Sequence, residues 1–139
     1  MVDKNLIGKK LADMGTYLEQ VREYSNISVA VYRKDWKTQR IVERTLQILI
    51  ETCIDIANHI ISDGNMRLPN SYADTFLVLL ENKFITKSLC TRMEKIVKFR
   101  NIVVHQYEKI DPAIVVLILN KNLSDFEKFK KSMIRALSQ

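Results

Sequence analysis

The chemistry of this chain concentrates in one stretch, FRNIVVHQYEKIDP, residues 99–112. Arg100 and His105 stand five residues apart, with Asn101 beside the first and Gln106 and Tyr107 after the second. His105 is one of only two histidines, so its position is informative. Histidine is a general acid or base near neutral pH. An arginine fork holds a phosphate through two parallel hydrogen bonds and stabilises charge developing on phosphorus. Asparagine and glutamine can hydrogen-bond a nucleotide. On an ideal helix at about 100° per residue, Ile96, Phe99 and Val103 form the core face. Asn101 and His105 fall opposite, and Arg100 and Tyr107, seven apart, lie in line on the flank. A solvated histidine beside a packing arginine and tyrosine would give the same spacing, so spacing alone leaves both readings open.

If the set does act on RNA, one copy is incomplete. Cleavage through the 2′-hydroxyl needs a base on that hydroxyl and an acid on the leaving 5′-oxygen. A single His105 cannot readily serve both, whereas a two-fold homodimer would bring two histidines and two arginines together. No dense carboxylate cluster suggests a metal site, so any cleavage is expected to be metal-independent and to need no cofactor. Cys53 and Cys90 share no zinc-ligand spacing with the histidines. They read as reduced core thiols rather than as a disulfide framework.

The elements that must position these residues are helices. The chain has 139 residues, 47% of them hydrophobic, with three glycines and two prolines. Few breakers and long periodic stretches predict an all-α bundle of about five helices in one domain, residues 1–139. The first helix spans residues 3–25. NISVAVYRKD reads as a loop or an early turn of the second helix, which Asp35 caps and which ends at Asp63-Gly64 with glycine as the C-cap. That helix is apolar on two sides. Val42, Leu46, Leu49, Cys53, Ala57 and Ile60 make the core face, and Ile41, Ile48 and Thr52 lie opposite, near Asp55 and His59. A second apolar stripe suits a central helix or a subunit contact. Asn70 or Ser71 caps a short third helix, and a turn at Phe84-Ile85 precedes the helix bearing Arg100. Asp111-Pro112 starts the last helix. Ser124 and Glu127 could split it as a capping box, but Leu119, Leu123, Phe126, Met133 and Leu137 continue one stripe, which favours a single long helix.

The net charge is 22 basic minus 16 acidic residues, or +6. It is compatible with RNA, but on charge alone an ordinary lysine-rich surface is the favoured reading. The charged N-terminus lacks an apolar signal region, and no segment is long and apolar enough to span a bilayer. A cytoplasmic protein with no membrane partner is expected.

RNIVVHQY resembles the R-x-x-x-x-H-x-Y motif of HEPN-domain toxins of the HepT type. The resemblance extends over nearly the whole chain. ERTLQILIETCIDIANHII is similar to the family's second helix, LPNSYADTF to its loop and third helix, and LNKNLSDFEKF to its C-terminal helix. It implies a HEPN helical bundle, a homodimer with the site in the interface cleft, and endoribonuclease activity as the toxin of a toxin–antitoxin pair. It also implies an MntA-type nucleotidyltransferase antitoxin that adds AMP to the motif tyrosine. Carried onto this sequence, Arg100 and His105 become the catalytic pair and Tyr107 the AMPylated residue. Asn101 occupies the polar position after the arginine, and Asp55 an acidic position that orients the site or simply bonds within its helix. His59 is expected to be structural. The alternative is a non-catalytic HEPN-like subunit that binds a nucleotidyltransferase; the intact Arg100–His105 pair argues for the nuclease.

Overall fold

Small polar residues start every long helix up to residue 105. Asp3 accepts from the backbone N–H of Leu6 at 3.0 Å and begins α1, Lys4–Arg22. Asp35 does the same for Thr38 at 3.1 Å and begins α3, Trp36–Asp63. Ser71 caps α4, Tyr72–Glu81, and Thr86 caps α5, Lys87–His105. Each cap satisfies a donor that the first helical turn leaves open. The computed structural model describes residues 3–138, so residues 1, 2 and 139 of the expected domain and N-terminus lie outside it. No strand occurs among the described residues.

One local expectation is corrected. Val29–Lys34 is a short helix of its own, α2, capped by Ser28 and anchored by the fully buried ring of Tyr32. Its β-branched residues suggested a loop, but packing against α3 and the last helix overrides that propensity. α3 ends at Asp63 with Gly64 as its C-cap, as expected, although Gly64 keeps a negative φ of −91° and the left-handed residue is Asn65, φ 53°. The N–H of Met66 reaches back to the carbonyl of Ile61 at 3.1 Å and completes the helix end.

The last helix is continuous but not uniform. Asp111 and Pro112 open α6, Pro112–Leu117; a π-helical turn spans Ile118–Asn122; and α7 follows, Leu123–Leu137. The Ser124–Glu127 capping box is not formed. Glu127 instead accepts from Arg22 of α1 at 2.8 Å. The wider turn accompanies Asn120 bonds to the backbone of Asn26 and Ile27, which tie the helix to the loop before α2.

α3 is the centre of the bundle. It buries the expected face and also Ile50, Ile54, Ile56 and Ile61 against α1, α4, α5 and α7. Phe76 and Phe129 meet edge to face at 5.7 Å beneath it. Cys53 and Cys90 are free and buried; burial pushes the Cys53 thiol up, and burial and the Glu94 carboxylate push Cys90 up to about 12. These thiols are inert packing groups. No helix of the described residues is long and apolar enough to cross a membrane.

Candidate functional site

One polar ladder runs down α3. Glu43, Gln47, Glu51, Asp55 and His59 recur every four residues, a step that winds slowly round a helix. α5 and the turn after it pack alongside in the opposite direction, so that residue 100 meets residue 51 and residue 107 meets residue 43.

Arg100 sits on the flank of α5, as its spacing predicts, and is clamped on three sides. Its Nε and Nη2 both donate to Glu51 Oε2, at 2.9 and 2.8 Å. Its Nη1 donates to Asn101 Oδ1 at 3.2 Å, and its plane lies over the ring of Tyr72, 5.0 Å from the centroid. Its side chain is only 12% exposed, yet it lines an open cavity of about 480 Å³ with Glu51, Asp55, Asn58 and Tyr72. Three N–H donors are used of the five a guanidinium carries, which leaves two for a ligand.

Asp55 lines the same cavity but does not touch Arg100. Its carboxylate is taken by Lys10 of α1 and, at 3.6 Å, by His59 one turn on. The acid on the arginine is Glu51, one turn before Asp55. The second apolar stripe divides in the same region: Ile48 and Thr52 are half-buried cavity walls, while Ile41 is exposed.

His105 is the last residue of α5 and is exposed, in agreement with its predicted outward face. No hydrogen bond or ion pair of its side chain occurs among the described residues, and it does not line the Arg100 cavity. Asn101, by contrast, is half-buried and turned to Arg100.

Tyr107 is not in line with Arg100 on a helix. α5 stops at His105, Gln106 leaves helical geometry at φ −137°, and Tyr107–Lys109 form a 3-10 turn. The turn swings the ring toward the start of α3. Tyr107 Oη donates to Glu43 Oε1 at 2.7 Å, and the Arg40 guanidinium covers the ring at 5.2 Å. Partial burial, then the bond to Glu43 and its negative charge, hold the phenol above its ordinary pKa, and Arg40 offsets part of this. Sequence reasoning missed Glu43 and Glu51. The four-residue spacing of acids on α3 was the signal for both.

The arrangement can hold an anion at Arg100, move a proton at His105 and present a phenol at Tyr107. Among the described residues no group of three or more metal-ligating side chains occurs. A family model described as ribonuclease HepT-like matches residues 14–133. The chain is 40% identical over 98 residues to an mRNA nuclease HepT of Shewanella oneidensis, covering 70% of this chain and 74% of that one. It is 28% identical over 134 residues to a tRNA nuclease HepT of Aphanizomenon flos-aquae, covering 95% and 90%. A solved structure of the tri-AMPylated Shewanella oneidensis HEPN toxin in complex with MNT antitoxin matches with a TM-score of 0.86 at 34% identity, over 98% of this chain and 99% of that one.

Proposed function

This chain belongs to the ribonuclease HepT-like family, and we propose that it is the toxin ribonuclease of a toxin–antitoxin pair, cutting RNA at Arg100 and His105. The observation that carries the assignment of the site is the clamped guanidinium of Arg100: positioned, mostly shielded from water, and left with donors facing an open cavity. Such a group holds a phosphodiester and stabilises the charge that builds on phosphorus as the 2′-oxygen attacks. His105 moves the proton: one copy takes it from the 2′-hydroxyl, and a second copy returns one to the leaving 5′-oxygen. The active unit is therefore a homodimer with both helix ends in one cleft, in the cytoplasm with its RNA. Asn101 steadies Arg100 from the side, and Asp55 shapes the cavity floor.

Silencing works through Tyr107. An MntA-type nucleotidyltransferase antitoxin adds AMP to its hydroxyl, which is 45% exposed as a residue and two positions from His105. The bulky anionic group then obstructs the RNA path. The AMPylated Shewanella oneidensis toxin, similar along nearly the whole chain, supports this reading.

The deciding experiment is His105→Ala. Cleavage of RNA and growth arrest should both fall by at least about 10²-fold, with helical circular dichroism unchanged, and wild-type cleavage should persist in EDTA. A His105→Ala protein that cuts at the wild-type rate removes the assignment to this residue. Sedimentation of the wild type at micromolar concentration should give the dimer mass; a monomer that remains active would remove the shared site.

A further inference from the structure

Making Tyr107 an acceptor raises a chemical problem. A phenol is almost wholly protonated at neutral pH, and its proton must go somewhere as the oxygen bonds to phosphorus. We propose that Glu43 is the general base for nucleotidyl transfer to Tyr107, so that the toxin itself supplies part of the chemistry that silences it. This inference rests on the reading of Tyr107 as the acceptor.

The geometry is that of a base on its proton. Tyr107 Oη and Glu43 Oε1 are 2.7 Å apart, a short bond of the kind a charged acceptor makes. The two partners are buried unequally. The Glu43 side chain is 9% exposed, whereas Tyr107 stands at the surface. A tyrosine that served only packing would bury its ring and leave the acid in water. Here a nearly buried carboxylate holds the hydroxyl of a residue that is itself 45% exposed, so the acceptor is within reach from outside while its base is fixed from within. Arg40 Nη1 reaches the same Oε1 at 3.3 Å and keeps the charged carboxylate tolerable at that depth. Tyr32 backs the group; its hydroxyl is buried without a hydrogen-bond partner, and the charges of Glu43 and Tyr107 both act on it.

The step balances. The lone pair of Tyr107 Oη attacks the α-phosphorus of a nucleoside triphosphate presented by the nucleotidyltransferase. The Oη–P bond forms, the bond from phosphorus to the bridging oxygen breaks, and pyrophosphate leaves with that electron pair. The phenolic proton passes to Glu43 and then to water. A carboxylate plays the same part toward hydroxyl nucleophiles in phosphoryl transfer generally. The guanidinium of Arg40, already over the ring, faces the new phosphodiester.

The test is Glu43→Gln in the full chain, incubated with its cognate nucleotidyltransferase and ATP, with AMP incorporation followed by intact mass. Glutamine keeps the shape and the accepting oxygen but cannot take the proton. The rate of modification should fall by about 10²–10⁴-fold at neutral pH, while RNA cleavage and thermal midpoint stay near wild type. The groups facing position 43 are Arg40, Tyr32 and Tyr107, and Tyr32 is held above its ordinary range by burial, so Tyr107 is the one that ionises first. Raising the pH above about 10 should therefore restore part of the rate, since a growing share of the phenol, which burial still holds above its ordinary range, then ionises unaided. Glu43→Asp should recover part of it at neutral pH. Wild-type protein that gains no AMP overturns the acceptor reading itself. Normal modification of both wild type and Glu43→Gln overturns only the base, which then belongs to the antitoxin. A Glu43→Gln defect that persists unchanged at high pH makes Glu43 a positioning residue and also overturns the proposal.

Discussion

Arg67 and Arg100 are both held by acids, and they are held differently. Arg67 follows α3 and binds two carboxylates on α4. Its Nη1 and Nη2 pair with both oxygens of Asp74 at 2.8 and 2.9 Å, and its Nε and Nη2 with Glu81 at 2.7 and 3.0 Å. Four of its five donors are thereby filled, and two negative charges surround it. Arg100 has one carboxylate, bound through one oxygen, with an aromatic face behind it and two donors to spare. A saturated arginine is a staple; an unsaturated one, shielded and aimed at a cavity, can bind a phosphate. The two are also linked in the fold. The Arg67 staple fixes the first turn of α4, and that turn carries Tyr72, the ring under Arg100.

The contrast is open to a direct break. Arg100→Ala should cut RNA cleavage by about 10²–10³-fold, the usual consequence of losing one donor to a developing oxyanion. Arg100→Lys should recover little of it, because a point charge does not replace the planar fork. Arg67→Ala should leave cleavage within a few-fold of wild type. Equal losses in Arg100→Ala and in a folded Arg67→Ala protein would erase the distinction.

A finer test concerns the clamp. Glu51→Gln keeps an accepting oxygen on Arg100 but removes its charge. RNA should bind at least as tightly, because the guanidinium is less neutralised, while kcat drops by less than the ~10²-fold that outright misplacement brings. Separate measurement of kcat and RNA affinity decides this; unchanged kcat would mean that Tyr72 and Asn101 position Arg100 without Glu51.

The smallest effect is on acid stability. Hydrogen bonds from Arg67 and from the N–H of Asn70 hold the Asp74 carboxyl down to about 2, and Arg67 lowers Glu81 as well. A carboxyl lowered on folding stabilises fully above its unfolded pKa of about 4 and loses that contribution as pH falls through its folded value. Wild-type thermal midpoints should therefore decline between about pH 4 and pH 2, and Arg67→Ala should flatten that decline. Arg67 and Glu81 are exposed and Asp74 is only half-buried, so the change in midpoint should be modest. An identical pH profile in both proteins would show that the staple does not contribute.

The difference between local and distant information runs through all of these residues. Asp35, Ser71 and Asp111 announce their helices, and the outward face of His105 follows from the core positions Ile96, Phe99 and Val103. These are matters of capping and periodicity, which act over about four residues and are written in the chain itself. The sequence therefore determined an all-helical bundle, most of its helix starts, and the outward-facing His105 at the end of α5. It did not determine where the carboxylates go. Glu51 lies 49 residues from Arg100 and Glu43 lies 64 from Tyr107, so those pairs depend on α5 packing antiparallel to α3 in one register. Extending the α5 helix through Tyr107 put its ring beside Arg100, whereas the break at Gln106 turned it toward Glu43. Asp55 was as plausible an acid as Glu51 on periodicity alone. Only the tertiary structure assigned one to Arg100 and the other to Lys10, because a side chain's partner is set by what the neighbouring helix presents at that height.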